Sequence, residues 1–109
     1  MASIEIANLV HALATCQGTG EAYIQQQGFR GLFVRSSAGV YVLTLETPLG
    51  ARALGNAMVL IGTSEPRVQQ ARIDGVDGST VEVTLLDAAG VAADTTHLNV
   101  CVLRMPALS

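Results

Sequence analysis

The side chains in this sequence that could do chemistry are two histidines, two cysteines and nine carboxylates. Nucleophilic catalysis needs a Ser, Cys or Thr beside a base and an orienting group. His11 and His97 are the available bases, and no Gly-x-Ser-x-Gly elbow accompanies either. A small enzyme or metal site would have to combine His97 with Asp94 or Cys101, and this is our third hypothesis. We predict that the chain has no catalytic residue and is not an enzyme.

The two cysteines, Cys16 and Cys101, lie far apart in the chain and form no Cys-x-x-Cys pair. We expect no secretion signal, and therefore reduced, buried thiols in a cytosolic product. A disulfide that joins the first strand to the last is the alternative. Only His11 and His97 could join the cysteines around a metal, so we predict no metal site.

Two glycine-containing segments resemble ligand loops only superficially. Asp74-Gly-Val-Asp77-Gly lacks the ligand series and the bidentate glutamate of a calcium loop, so we interpret it as a turn. Gly18-Thr-Gly20 does not follow a strand and open a helix with further glycines, as a phosphate-binding loop would. We therefore predict no cofactor.

Charge is scarce in this chain and weighs against two classes of partner. Charged residues make up 14% of the sequence, against about 25% in average soluble proteins. All six cations are arginines and the net charge is −3, which argues against nucleic acid and against a membrane surface. The surface must be polar but uncharged, or covered by other subunits, and we favour the covered surface.

The aromatic residues Phe29, Phe33 and Tyr41 cluster around one predicted hairpin, with Arg30 and Arg35 nearby. Aromatic and basic residues together on a sheet can stack nucleic-acid bases. Since the net charge is negative, we interpret the three aromatic residues as part of the core.

From about residue 29 onward, apolar and polar residues alternate with the period of a strand, and Gly, Pro, Asp and Ser separate the segments. The segment 56–62 is a continuous apolar run, which predicts a central strand buried on both faces. The last segment is apolar on both faces, so we expect it inside a sheet or under a partner. The predicted strands cover 29–35, 40–46, 56–62, 67–73, 80–86 and 97–105.

The first 28 residues fit two structures. Ile6, Leu9, Val10 and Leu13 fit one face of a helix, whereas Ile4 and Ile6 fit a strand with a later break. We favour a strand over residues 3–16, because every later segment is β. Residues 1–28 could form an N-terminal arm or an edge element of the same domain.

These patterns predict an all-β protein in which residues 1–109 form one domain. Seven to eight short strands with regular turn signals are typical of an antiparallel β-sandwich or a jelly-roll-like barrel. No stretch is long and apolar enough for a transmembrane helix.

Three stretches of the sequence resemble small virion proteins of tailed bacteriophages. They are Gly39-Val-Tyr-Val-Leu-Thr-Leu-Glu-Thr-Pro-Leu, Val81-Glu-Val-Thr-Leu-Leu-Asp-Ala-Ala-Gly-Val-Ala-Ala-Asp and Leu98-Asn-Val-Cys-Val-Leu-Arg. The resemblance covers about the last 80 residues. It implies a β-sandwich module that decorates a capsid or forms a head or tail appendage, and it supplies no catalytic residues.

The resemblance therefore leads us to expect a capsid decoration (cement) protein that binds and stabilises a phage head lattice. The expected partners are the major capsid protein or another virion protein, and the expected assembly is a homotrimer. Such a protein would be made in the host bacterial cytoplasm and would reside on the capsid surface of the virion. The alternative is a tail or fibre module that binds host-surface glycan through the loops at 36–39, 63–65 and 74–78.

Overall fold

Eight antiparallel strands form two four-stranded sheets that pack against each other as a sandwich. The structure is a computed structural model, and it describes residues 9–50, 57–74 and 78–104. The described residues contain no helix, and therefore no helix that could cross a membrane. The strands are β1 (Val10–Gln17), β2 (Tyr23–Gln27), β3 (Val34–Ser37), β4 (Val40–Thr44), β5 (Ala57–Thr63), β6 (Val68–Asp74), β7 (Thr80–Leu86) and β8 (His97–Arg104).

The first sheet has the strand order β2-β1-β8-β5 and the second has the order β3-β4-β7-β6. No ladder of hydrogen bonds joins the two sheets among the described strands, so the architecture is an open sandwich and not a closed barrel. Among the described strands, β1 and β8 are interior strands of the first sheet, and β2 and β5 form its edges. β4 and β7 are interior strands of the second sheet, and β3 and β6 form its edges.

The core lies between the sheets and follows the predicted alternation. Val81, Val83 and Leu85 of β7 are fully buried, and so are Tyr41 and Leu43 of β4. The predicted aromatic core is confirmed as well. Three further sets complete the core: Ala12, Ala14 and Cys16 of β1; Phe29, Phe33, Leu45 and Leu49 of the connections; and Leu98, Val100 and Val102 of β8.

The strand prediction for the N-terminal segment is confirmed for its described part, since β1 spans Val10–Gln17. Residues 1–8, which carry Ile4 and Ile6, lie outside the described residues. The prediction for the last strand is also confirmed, because β8 lies between β1 and β5. Met105 and Pro106 lie outside the described residues.

The prediction that 56–62 is a central strand buried on both faces is wrong. β5 is an edge strand, and Met58 and Leu60 are each 49% exposed. An apolar run of strand length shows that both faces of a strand are apolar, but it carries no information about how many neighbouring strands there are. Asn56 lies outside the described residues.

The predicted strand 29–35 is mostly irregular, and only its last two residues belong to β3. Gly28 and Gly31 have φ angles of +89° and +64°, which interrupt an extended chain. Phe29 and Phe33 are both buried in the core instead. The turn predicted at 36–39 is shorter than expected, because Ser36 and Ser37 belong to β3.

Candidate interaction surface

The first sheet turns one side toward the core and the other side away from it, and the side turned away is the candidate surface. Leu13 at its centre is 37% exposed, and Met58 and Leu60 are each 49% exposed. We call this side the charge-free face. Its residues are Leu13, Thr15, Gln25, Gln27, Met58, Leu60, Gly62, Asn99, Cys101 and Leu103.

The strand register arranges these residues in rows across the sheet. One row is Gln27, Leu13, Cys101 and Leu60, and the next is Gln25, Thr15, Asn99 and Gly62. Leu103 and Met58 lie side by side in a third row. The centre of the face is therefore apolar, and its polar residues are amides and one hydroxyl. The exposed Gln17 and His97 form the next pair along the same side of the sheet.

Charged residues are scarce throughout the first sheet. β1, β2 and β5 contain no Asp, Glu, Lys or Arg, and β8 contains only Arg104 at its end. In a soluble protein, an exposed sheet face normally carries charged and polar residues opposite the apolar core face. A face that is exposed, apolar at its centre and uncharged is the kind of surface that contacts another protein.

The polar atoms of the face are partly satisfied within it, and its surface is shallow. The Thr15 hydroxyl donates to the Asn99 side-chain oxygen across the strand pair at 2.8 Å. Because Gly62 has no side chain, a shallow depression of about 410 Å³ lies beside it, next to Leu60 and Cys101. Such a surface fits a protein partner with small complementary protrusions better than a deeply enclosed small molecule.

The two cysteines lie on opposite sides of the first sheet. Cys16 is buried in the core, and burial raises the pKa of its thiol to about 12. Cys101 lies on the charge-free face opposite Leu13 and is partly exposed. Both thiols are free, so the alternative of a disulfide between them is wrong. The expectation of a buried reduced thiol holds for Cys16, whereas Cys101 is accessible.

The outer side of the second sheet has a different chemistry. Glu82 and Arg72 face each other across β7 and β6, and their closest nitrogen and oxygen atoms are 3.4 Å apart. Thr44, Thr80 and Thr84 lie on the same side. The same side also carries exposed apolar residues, among them Val34 and Val68. The two outer surfaces of the sandwich therefore differ in charge, and both expose apolar side chains.

At one end of the sandwich, Asp94 joins strands of the second sheet to the β7–β8 connection. Its carboxylate accepts hydrogen bonds from Arg35, with Nη2 at 2.7 Å, and from the Gly39 backbone N–H at 2.7 Å. The Tyr41 hydroxyl donates to the Gly18 carbonyl at 2.5 Å and lies 3.1 Å from the Asp94 carboxylate. The hydrogen bonds from Arg35 hold the pKa of Asp94 below its usual range.

Glu65 performs the same role for the β5–β6 connection at this end. Its carboxylate accepts hydrogen bonds from the Ser64 and Thr95 hydroxyls and from the Thr96 backbone and side chain. These hydrogen bonds, that from Ser64 first, hold the pKa of Glu65 far below its usual range. Because these polar side chains are hydrogen-bonded to one another, they hold the connections at this end together. Few of their donors and acceptors are left to bind a ligand.

The structure does not bring together the residues of the enzyme or metal hypothesis. The Asp94 carboxylate is directed to Arg35, whereas His97 is exposed on β8. Cys101 is four residues further along the same strand, which places its Cα about 13 Å from that of His97. Nε2 of His11 donates to the Thr47 carbonyl at 2.7 Å. In the part of the chain that the structure describes, no three His, Cys, Asp or Glu residues are grouped as metal ligands.

The structure describes the glycine-containing segment 18–20 fully and the segment 74–78 only in part. Gly18 and Gly20 lie in the β1–β2 turn, where Gly20 N–H donates to the Gln17 carbonyl at 3.1 Å. Asp74 ends β6, and Asp77 lies outside the described residues. The interpretation of 74–78 as a turn therefore stays a prediction.

The shortage of charge is visible in the sequence, whereas the charge-free face is not. A signal is present in the sequence, because residues 6–20, 53–64 and 95–103 contain no charged side chain. These runs contain β1, β5 and most of β8, but a similar run at 36–45 contains β4 of the other sheet. Only strand pairing shows which of these runs are neighbours.

Comparison with known proteins found no family model, no curated protein and no solved structure that matches the chain.

Proposed function

We propose that this protein is a structural protein that binds another protein through the charge-free face and does not catalyse a reaction. The observation that carries the proposal is the face itself, ten outward residues without a charge around an apolar centre. Because about half of Leu60 and of Met58 is exposed, covering each of them would stabilise a complex by about 1 kcal/mol. The partner surface should also be uncharged, since a charge buried against this face would lose its hydration without gaining a counter-charge.

The assembly that we propose for this binding is a phage capsid, with the protein as a decoration (cement) protein on the head lattice. The resemblance of the sequence to small virion proteins supports this role, and so does the all-β sandwich. A protein that binds only the assembled lattice stabilises that lattice by mass action. The partner would then be the major capsid protein or another virion protein, and the protein would reside on the capsid surface.

The alternative is a tail or fibre module that binds host-surface glycan through the loops. Its three loops do not form one surface: those at 36–39 and 63–65 lie at one end of the sandwich. The ends of β6 and β7 that flank 75–77 lie at the other end. We therefore place the lattice-binding role first.

The charge-free face is tested with a charge at its centre. Leu13→Glu is expected to weaken binding to heads at least about tenfold, because the new carboxylate would be buried without a partner. The heads come from the phage that encodes this chain and are stripped of the protein. Val34→Glu is the matched control, because Val34 is 51% exposed on the outer side of the second sheet. Co-sedimentation measures binding, and the temperature of head disassembly measures stabilisation.

Cys101 supplies an independent readout of the same face. Bound heads should protect its thiol from a maleimide reagent, and the buried Cys16 should stay unlabelled with and without heads. Failure of the unaltered protein to bind heads would reject the lattice role. Equal binding by Leu13→Glu and the unaltered protein would reject the charge-free face as the contact surface.

A further inference from the structure

The four edge strands of the sandwich differ in how they are protected from pairing with another chain. β2 has five residues and its register with β1 shifts, and β3 has four residues with a shift against β4. β6 contains Arg72 and Asp74. Short strands, irregular register and charge are the devices by which natural edges avoid further pairing.

β5 has none of these devices. Its seven residues, Ala-Met-Val-Leu-Ile-Gly-Thr, contain no charge and no proline. The ladder to β8 runs without a shift from Ala57 opposite Arg104 to Thr63 opposite Leu98. One edge of β5 is therefore a regular row of backbone donors and acceptors that no strand of this chain pairs within the described residues.

The core is also incompletely covered beside this edge. Val59 and Ile61 point toward the core but are only partly buried, and Ala71 of β6 across from them is exposed. A cleft of about 360 Å³ separates β5 from β6 there.

The opposite side of the sandwich, between β2 and β3, is filled by aromatic rings. The ring centroids of Tyr23 and Phe33 are 5.2 Å apart, and those of Tyr23 and Phe29 are 5.9 Å apart. A strand added at β5 would therefore cover apolar surface that the described residues leave open.

We propose that the occupant of this edge is β5 of a second copy, paired antiparallel about a two-fold axis to form a continuous eight-stranded sheet. Two-fold pairing requires a strand that is compatible with itself. With Leu60 on the axis, the two Leu60 side chains face each other, and Met58 of each copy lies opposite Gly62 of the other, which leaves room for it.

On the core side of the same pairing, Val59 of each copy lies opposite Ile61 of the other. These apolar cross-strand pairs stabilise a sheet, and no like charges meet because β5 has none. The cleft between β5 and β6 of one copy would join that of the other copy. The partly exposed Val59 and Ile61 of both copies would then be buried. The charge-free faces of the copies would become one surface.

This inference goes beyond the proposed function, because it concerns the edge of the sheet and holds whatever binds the face. It also differs from the trimer that the resemblance implies, since a two-fold contact closes at two copies. The two proposals fail separately: Leu13→Glu should lose head binding and keep the dimer, because Leu13 lies in β1, two strands away from the edge.

The test is the solution mass of the purified full-length chain by light scattering after size exclusion. The unaltered protein should have twice the chain mass of 11.3 kDa. Leu60→Lys should weaken the dimer by about 100-fold or more and give the single-chain mass, because two lysines would face each other at the axis. Val68→Lys is the matched control and should keep the double mass, since Val68 is 55% exposed on β6, an edge of the other sheet.

Far-UV circular dichroism must show that both lysine variants are folded. Hydrogen exchange gives a second measurement that needs no variant, because amides on the free edge of β5 should become protected as protein concentration rises. A single-chain or triple-chain mass for the unaltered protein would overturn the proposal. A double mass for folded Leu60→Lys, or β5 amides unaffected by concentration, would overturn it as well.

Discussion

At the scale of single residues, two tyrosine hydroxyls inside the sandwich have opposite environments. The Tyr41 hydroxyl donates to the Gly18 carbonyl and contacts the Asp94 carboxylate, and burial raises its pKa to about 12. The Tyr23 hydroxyl is buried and has no hydrogen-bond partner among the described residues. Burial raises the pKa of Tyr23 too. The first hydroxyl ties β4 to the β1–β2 turn, whereas the second gives no such connection.

Replacing each tyrosine by phenylalanine should therefore change stability differently. Tyr41→Phe is expected to lower the free energy of unfolding by about 1–3 kcal/mol, because the buried Gly18 carbonyl loses its donor. Tyr23→Phe should leave it unchanged or raise it by up to about 1 kcal/mol, because an unpaired polar group is removed. Urea unfolding followed by circular dichroism measures both. Equal losses in the two variants would contradict this assignment.

At the level of strands and turns, hydrogen bonds between the connections at one end of the sandwich fix the position of one sheet against the other. Gly18 of the β1–β2 turn donates its N–H to the Thr96 carbonyl of the β7–β8 connection at 3.0 Å. Two nitrogens of Arg67, which precedes β6, donate to the Asp94 carbonyl at 3.0 and 2.7 Å. The close approach of Gly18 depends on its lack of a side chain, because a Cβ there would lie 1.8 Å from the Thr95 carbonyl oxygen.

Gly18→Ala is accordingly expected to lower the free energy of unfolding by about 2–3 kcal/mol, since the turn or the connection must move to admit the methyl group. Gly20→Ala in the same turn is the control. Its Cβ would come no closer than 3.8 Å to the Gln17 side chain, so the change should be small. Thermal unfolding measures the stability of both variants. A Gly18→Ala protein as stable as the Gly20→Ala protein would contradict the close approach of Gly18 to Thr95.

At the scale of the whole molecule, charge is distributed very unevenly. The first sheet is almost without charge, and the most strongly bonded carboxylates, Asp94 and Glu65, lie together at one end. Both have a pKa below the usual range in the folded protein because hydrogen bonds favour their ionised forms. Their contribution to folding is therefore fully present above the pKa of an unfolded carboxyl, about 4. It is lost as the pH falls through the lower pKa values of the folded state.

The free energy of unfolding should consequently be steady at neutral pH and fall as the pH drops below about 4. The double variant Asp94→Asn with Glu65→Gln should be less stable at pH 7 and should lose less stability on acidification. Urea unfolding at a series of pH values measures both quantities. If the double variant showed the same slope as the unaltered protein, the carboxylates responsible for acid sensitivity would have to lie elsewhere.

The all-β class and the buried faces of most strands follow from the amino-acid pattern alone. The alternation of Val81, Val83 and Leu85 with polar residues identifies the buried face of β7, because side chains of a strand point to opposite sides in turn. The buried positions of Tyr41 and Leu43 follow from the same period. These predictions succeed because they depend only on neighbours along the chain.

Which strands are neighbours does not follow from that pattern and becomes visible only in the folded protein. A period of two does not distinguish an edge strand from a central one, so β5 was expected in the middle of a sheet and lies at its edge. The pairing of Arg35 with Asp94 and the assembly of β1, β8 and β5 into one charge-free face join residues far apart in sequence. Such contacts depend on how the whole chain covers its apolar surface, and that is settled only when both sheets have packed.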